Sequence, residues 1–290
     1  MKWVLVDANN LLHRCARALY SGTGTVPVDF TMYSVLDQLL SIGQDVKSNR
    51  FALFFDSATN RRKDIYPEYK SGRTKQLDRV YARAMSKIFA QLPPILKGIG
   101  FPIYECVGFE ADDLIAKAAQ WIDSTLCEHG IIISADSDLQ QCISEYVEWY
   151  DFGRRKRFDY ESFLATVGHP NDFVTVKAIT GCTSDSVPGV PGVGPITAWK
   201  WVRGEPISTA RTAAIRASME IIDRNIKLVR LPMEGTPSFN LRIPQYNLKA
   251  LTTIKDLNEA ADLKEWEAFL RGRLSMEQMQ KKRMRHVKHS

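Results

Sequence analysis

Three short apolar runs, each closing on an aspartate, organise the first half of the chain: "WVLVD" from Trp3 to Asp7, "FALFFD" from Phe51 to Asp56 and "GIIISAD" from Gly130 to Asp136. Unbroken apolar runs of this length suit strands covered on both faces, and helical periodicity fills the intervals between them. The alternation predicts an α/β fold with a doubly wound, mainly parallel sheet. Ligands of such sheets bind beyond the carboxyl ends of the strands, so Asp7, Asp56 and Asp136 are expected to project into one crevice. A single aspartate there reads as a turn or cap residue; three at equivalent positions favour a functional reading.

The helical segments carry their own polar punctuation. "GFEADDLIAKAAQW" begins at Gly108 and places Glu110, Asp112 and Asp113 in the first turn of a buried helix. The backbone dipole and the unpaired amides of a helix start favour acidic residues, so this stretch alone has an ordinary explanation. Between Arg61 and Lys87 nine basic residues, among them Arg62, Lys70 and Arg73, face Asp64, Glu68 and Asp78. A solvated face is the plain reading of such a run. Tyr66 and Tyr69 interleave with the bases, and bases with aromatics suit single-stranded nucleic acid. Tyr81 and Met85, four apart, fit simple helix packing.

Further along, "VTVKAITG" reads as a helix ending at Gly181, and "VPGVPGVGPITAWKWV" follows, with Pro195 suited to the first position of a new helix. Gly189, Gly192 and Gly194 permit tight turns, and the pattern predicts a helix-turns-helix hairpin whose amides hold a phosphate backbone. The expected organisation is an α/β core over 1–165 with a basic helical arch at about 61–95, a glycine-rich hairpin for duplex DNA over 166–205, and a helical C-terminal region over 206–290 ending in the basic tail "KKRMRHVKHS".

Composition sharpens this picture. The 290 residues, 44% hydrophobic and 25% charged, suffice for one large domain or two sharing a core. The formal net charge of +6 favours a polyanionic partner. With eight carboxylates set aside in one pocket, the remainder would carry +14. No apolar run reaches membrane-spanning length and the first residues read directly as a strand, so a cytoplasmic location without membrane association is expected. The five cysteines are odd in number and show no CxxC spacing, which predicts reduced thiols without a zinc site or a disulfide framework.

"SADSDLQQ" adds Asp138 and "GCTSDS" adds Asp185 to the carboxylates already noted. So many acids in one place require cations, and an all-oxygen set without histidine partners favours Mg²⁺ or Mn²⁺. Two such ions suit phosphodiester cleavage, with a lysine near the scissile phosphate stabilising added negative charge.

"VDANN", "FFDSATNRRKDIYPEYKSGR", "GFEADD", "SADSD" and "GCTSDSVPGVPGVG" occur in the order that resembles the 5′-nuclease family of flap endonucleases, phage 5′-to-3′ exonucleases and the 5′-nuclease domain of DNA polymerase I. The likeness spans residues 1 to about 200, and the compact length looks most like the bacteriophage enzymes. It implies a divalent-metal-dependent, structure-selective 5′-nuclease acting as a monomer on DNA ends, flaps and single-strand/duplex junctions, with RNA primers on DNA as further substrates. It implies that Asp7, Asp56, Glu110 and Asp112 hold a first metal, and that Asp113, Asp136, Asp138 and Asp185 serve a second, with some sharing. Lys70 and Arg73 match the basic pair of the family's arch, Arg62 an upstream arginine and Tyr69 its aromatic neighbour. A K⁺ ion held by backbone carbonyls near Val190 and Val193 is also implied.

One departure stands out. The family pattern places an aspartate after the glycine of "GCTSDS", where this chain has Cys182, so the second site is expected to be weak. That substitution keeps open a non-catalytic DNA-junction binder as the alternative. A phosphatase using Asp7 as nucleophile would call for an aspartate two residues on, where Asn9 stands.

Overall fold

The computed structural model describes residues 2–72, 79–125, 128–247, 250 and 266. A six-stranded sheet forms its centre in the order β3-β2-β1-β4-β5-β6, built from β1 (Trp3–Asp7), β2 (Arg50–Phe54), β3 (Ile103–Tyr104), β4 (Gly130–Ile133), β5 (Val147–Asp151) and β6 (Lys156–Phe158). All pairings are parallel except β5 with β6. The chain winds outward from β1 through β2 to β3, then returns to the other side of β1 with β4. The order therefore reverses between β1 and β4, which opens a crevice at their carboxyl ends.

Alternation along the strands divides the core. Val4, Val6, Phe51, Leu53, Ile131 and Ile133 pack against α1 (Ala8–Thr23), α2 (Val28–Val46) and α4 (Arg79–Ile99). Trp3, Leu5, Ala52, Phe54 and Ile132 face α5 (Ala111–Thr125) on the opposite side. The sheet is thus doubly wound, as its unbroken apolar runs require. Of the arch expected at about 61–95, the described residues include α3 (Arg62–Ile65), the turns up to Gly72 and α4, whose Tyr81, Met85, Ile88 and Leu92 are buried in the core. Arg73 lies outside the described residues.

A third apolar cluster joins α7 (Pro170–Thr180), α8 (Pro195–Val202), α9 (Thr209–Ala217) and α10 (Met219–Val229), with α6 (Tyr160–Thr166) leading into it. Between α7 and α8 a small antiparallel pair links β7 (Gly181–Cys182) to β8 (Val187–Pro188). The C-terminal region is not helical throughout. Residues 230–247 run in irregular extended form back over the core, where Phe239 stacks on Tyr104 at 4.9 Å and the Tyr246 hydroxyl donates to the Asn49 carbonyl at 2.6 Å. The basic tail lies outside the described residues.

Candidate metal centre and nucleic-acid interface

Asp7 ends β1 and caps α1: its Oδ1 accepts from the Asn10 amide at 2.9 Å and its Oδ2 from Ser134 Oγ at 2.8 Å. Ser134 also accepts from the Asp136 amide at 3.0 Å, so one hydroxyl ties together the two strand ends at the switch point. Asp56, beyond β2, accepts from the Ala111 amide at 2.8 Å and from Asn9 Nδ2 at 2.8 Å. The first contact draws the start of α5, and with it Asp112, against the same crevice.

Asp7, Asp56, Asp112 and Asp136 line an open cavity of about 1020 Å³, with His13, Arg17, Tyr20 and Tyr81 also lining it. His13 Nδ1 and the Tyr81 hydroxyl are 3.0 Å apart and their rings are stacked. Burial and the nearby Asp56 and Asp136 push the Asp7 carboxyl up to about 7. Burial together with Asp7, Asp136 and Asp56 lifts Asp112 well above the carboxylate range. The set thus carries more negative charge than its surroundings neutralise, and an all-oxygen donor set of this kind fits a hard divalent cation.

A second, much smaller cavity of about 20 Å³ adjoins the first and shares Lys70, Asp112 and Asp136 with it. Glu110, Asp138 and Asp185 complete its acidic lining. Burial alone would raise the Glu110 carboxyl, but the Lys70 ammonium and the Arg62 guanidinium hold it below its usual range. Its Oε1 accepts from Lys70 Nζ, while Oε2 accepts from Arg62 at 3.0 Å and from the Tyr69 hydroxyl at 2.9 Å. Lys70 itself adopts a left-handed conformation at φ 57°, and its amide donates to the Asp185 carbonyl at 2.8 Å. The turn carrying the lysine is therefore sewn to the turn carrying Asp185.

Three expectations change here. Asp113 is fully buried, with both carboxylate oxygens held by Arg62 at 2.7 Å and a further bond from the Met233 amide at 2.8 Å, so it faces away from both cavities. Arg62 is 1% exposed and also donates to the Leu228 carbonyl at 2.8 Å, which makes it an internal cross-link rather than a phosphate contact. Tyr69 is 4% exposed and packs with the third cluster, leaving no ring face for a base. Sequence spacing placed all three near the site; burial decides their use.

In the hairpin, a Cβ on Gly189 would lie 2.2 Å from the Thr180 carbonyl oxygen, so this glycine serves the close approach of two backbone segments rather than a phosphate. Gly192, at φ +72°, and Gly194, the cap residue of α8, face open space. Val190 and Val193 are buried on the hairpin's inner side, with the Val193 amide donating to the Val190 carbonyl at 3.2 Å.

Lys177 was not anticipated. It projects from α7 and its Nζ lies 2.5 Å from Asp138 Oδ1. Its signal was available, as one lysine amid the buried positions of "VTVKAITG". Burial, the neighbouring Asp136 and the opposing Lys177 together set the Asp138 carboxyl at about 6. Ser134, two residues before Asp136, offered no comparable sign.

Residues 2–168 match the family model described as the 5′-3′ exonuclease, N-terminal resolvase-like domain. DNA polymerase I of Rhizobium leguminosarum is 30% identical over 205 residues, 67% of this chain and 20% of the polymerase. The 5′-3′ exonuclease of Buchnera aphidicola subsp. Schizaphis graminum is 30% identical over 173 residues, 58% of this chain and 57% of that protein. The chain thus spans about a fifth to just over a quarter of the length of the polymerase relatives it matches. Among solved structures, the T5 D15 protein co-crystallised with metal ions superposes with a TM-score of 0.67 at 21% identity, over 95% of this chain and 99% of the other. The catalytic core of Rad2 in complex with DNA substrate gives 0.55 at 12% identity, over 94% and 92%.

Proposed function

Since the chain belongs to the 5′-3′ exonuclease family, we propose that it hydrolyses phosphodiesters at the 5′ ends and flaps of DNA, with Mg²⁺ or Mn²⁺ held by Asp7, Asp56, Asp112 and Asp136. The observation that carries this reading is the convergence of those four carboxylates on one open cavity at the β1/β4 switch point, with Lys70 also in its lining. A divalent cation bound there supplies an activated water and charge stabilisation of the leaving oxygen.

The chain's own residues provide the rest. Ser134 and the Asn10 amide fix both oxygens of Asp7, so its orientation is set before substrate arrives. Lys70 reaches the cavity from a turn anchored on Asp185, and its ammonium is positioned to offset charge gathering on an attacked phosphate. His13, Arg17 and Tyr20, with the buried Tyr81 stacked on His13, give the cavity lining both positive charge and ring faces, suited to the nucleotide beside the cleaved bond. The open backbone at Gly192 and Gly194 suits a duplex phosphate, and K⁺ at the Val190 and Val193 carbonyls would extend that contact.

The same reading includes RNA primers paired to DNA as substrates, action as a monomer, and work in the cytoplasm. No helix among the described residues is long and apolar enough to cross a membrane. Among solved relatives, the T5 D15 flap endonuclease has been captured in a pseudo-enzyme-product complex with DNA and metal ions. The deciding experiment incubates a 5′-end-labelled flap duplex with the protein, with and without Mg²⁺. Short labelled products only in Mg²⁺ support the reading; an intact flap under both conditions removes it.

A further inference from the structure

The last carbonyls of a helix have no partner within it, and at the end of α10 two of them are taken by side chains from two other elements. Arg62 Nε donates to the Leu228 carbonyl at 2.8 Å and Gln141 Nε2 to the Val229 carbonyl at 3.0 Å. Arg62 is the residue that binds Glu110, which in turn accepts from Lys70. Gln141 stands in the short 3₁₀ turn Ser137–Cys142, which carries Asp138 and is capped by Asp136. Leu228, Val229 and Leu231 line the small cavity together with Asp136, Asp138 and Lys70. One helix end therefore meets both the lysine side and the aspartate side of the crevice.

Gln141 uses both ends of its amide. Besides the Val229 carbonyl, its Nε2 donates to the Asp138 carbonyl at 2.8 Å, and its Oε1 accepts from the Leu231 amide at 2.8 Å. Asp138 in turn donates its own amide to Asp136 Oδ1 at 2.9 Å, while Trp149 Nε1 donates to the Asp136 carbonyl at 3.0 Å. The Asp136 carboxylate is thus oriented by a turn whose far side Gln141 fixes. A 3₁₀ turn of six residues has poorer hydrogen-bond geometry than an α-helix and holds itself loosely. The contacts to Val229 and Leu231 reach across 88 and 90 residues of chain, so the fold supplies the rigidity that the turn lacks.

We propose that Gln141 is a positioning residue, which fixes the turn bearing Asp136 and Asp138 relative to Lys70 with the end of α10 as their common anchor. The proposal rests on the nuclease reading, in which Asp136 holds the divalent ion and Lys70 offsets charge on the phosphate. Gln141 lines neither cavity and acts only through the Asp138 backbone. Partners of this kind, one step removed from the ligand atoms, set ligand orientation and hence metal affinity and rate. Sequence concealed the role, because Gln140 and Gln141 read alike in "DLQQ".

Three variants of the full chain test it. Gln141→Met keeps the length of the side chain and removes its amide, and Gln141→Asn keeps the amide but withdraws it by one methylene, a milder change should the first fail to fold. Tyr246→Phe removes a hydrogen bond from the far end of the same extended segment and controls for general loosening. Single-turnover cleavage of a 5′-flap duplex at saturating enzyme, Mn²⁺ binding by calorimetry, flap affinity in EDTA and thermal melts are read on each. Both Gln141 variants are expected to lose about 10-fold or more in saturated rate and in Mn²⁺ affinity, with flap affinity in EDTA unchanged. Tyr246→Phe should match wild type in all three. A folded Gln141 variant with wild-type rate and Mn²⁺ affinity, or an equal loss in Tyr246→Phe, overturns the proposal. Wild-type protein that leaves the flap intact removes the nuclease reading instead, and the Mn²⁺ affinities then decide the role of Gln141 by themselves.

Discussion

Arg62 and Asp113 form a two-pronged ion pair, both bonds 2.7 Å long, in the interior between α3, α5 and the chain around Met233. Burial would lower the guanidinium's proton affinity, but the carboxylates of Asp113 and Glu110 keep it charged. The pair is tied to a further element, because Arg62 also donates to the Leu228 carbonyl near the end of α10.

Removing one partner should leave the other charge buried and unpaired. Arg62→Ala is expected to cost about 3–5 kcal/mol of stability. Urea denaturation measures this, and the double variant with Asp113→Leu should recover part of the loss. Single-strand affinity of the folded variant, measured at low temperature, should match wild type. A selective loss of affinity with unchanged stability would return Arg62 to the nucleic-acid interface.

This pair also shows how far the sequence could be read. The sheet was legible where strands are long and covered on both faces, as at Trp3 to Asp7. β5 escaped notice because "VEWYD" interrupts its apolar character with Glu148, which faces outward to pair with Lys2 and Arg157. β3 has only two residues. Within the site, the strand-end aspartates could be found from their position, since the switch point follows from topology. Burial could not be found that way: Asp112 and Asp113 are neighbours in sequence, yet helical rotation points one at the cavity and the other at Arg62. Cys182 and Lys177 likewise come beside Asp138 only through the fold, since it lies about forty residues away in sequence.

Asp112 and Asp136 border both cavities, so either change to asparagine removes charge where the two sites meet. Asp112→Asn and Asp136→Asn should abolish flap cleavage while retaining DNA binding, which tightens slightly as repulsion of phosphate falls. Gel shift and cleavage are compared on the same preparations. Near-normal turnover in either variant would sink the metal assignment.

Lys70→Ala should slow single-turnover cleavage by on the order of 10²-fold, as for the loss of one preorganised electrostatic contact. Saturating enzyme separates chemistry from affinity. Recovery of the wild-type rate at saturation would make Lys70 a binding residue only.

The metal-free protein should become less stable as pH rises between about 4 and 7. Burial raises the Asp7 carboxyl from 3.8 to about 7, so over this interval the folded state retains a proton that the unfolded chain has released. Its stabilisation is complete below the unfolded value and lost as pH passes through the folded one. Melting in EDTA should therefore fall more steeply with pH for wild type than for Asp7→Asn. Mg²⁺, which binds the deprotonated carboxylates, should raise the wild-type melting temperature far more at pH 8 than at pH 5. Parallel pH profiles for the two proteins would refute the assignment of Asp7.

Gly192 separates duplex contact from single-strand contact. Its φ of +72° disfavours any side chain, yet the position opens onto empty space, so Gly192→Asp introduces modest backbone strain together with a negative charge on the hairpin's outer face. If the open backbone there lies against a duplex phosphate, the variant should weaken duplex binding by about tenfold and flatten its dependence on salt, since fewer counterions are then released. Affinity for a free single strand, which the reading assigns to the cavity lined by His13, Arg17 and Tyr20, should stay unchanged. Gly194→Ala, on the same proposed contact, adds a methyl group in equally open space without charge and should weaken duplex binding less than Gly192→Asp. Fluorescence anisotropy on both DNAs, over a series of salt concentrations, decides the matter. Equal loss on duplex and single strand would indicate misfolding, and full duplex affinity in Gly192→Asp would move the duplex contact away from the hairpin.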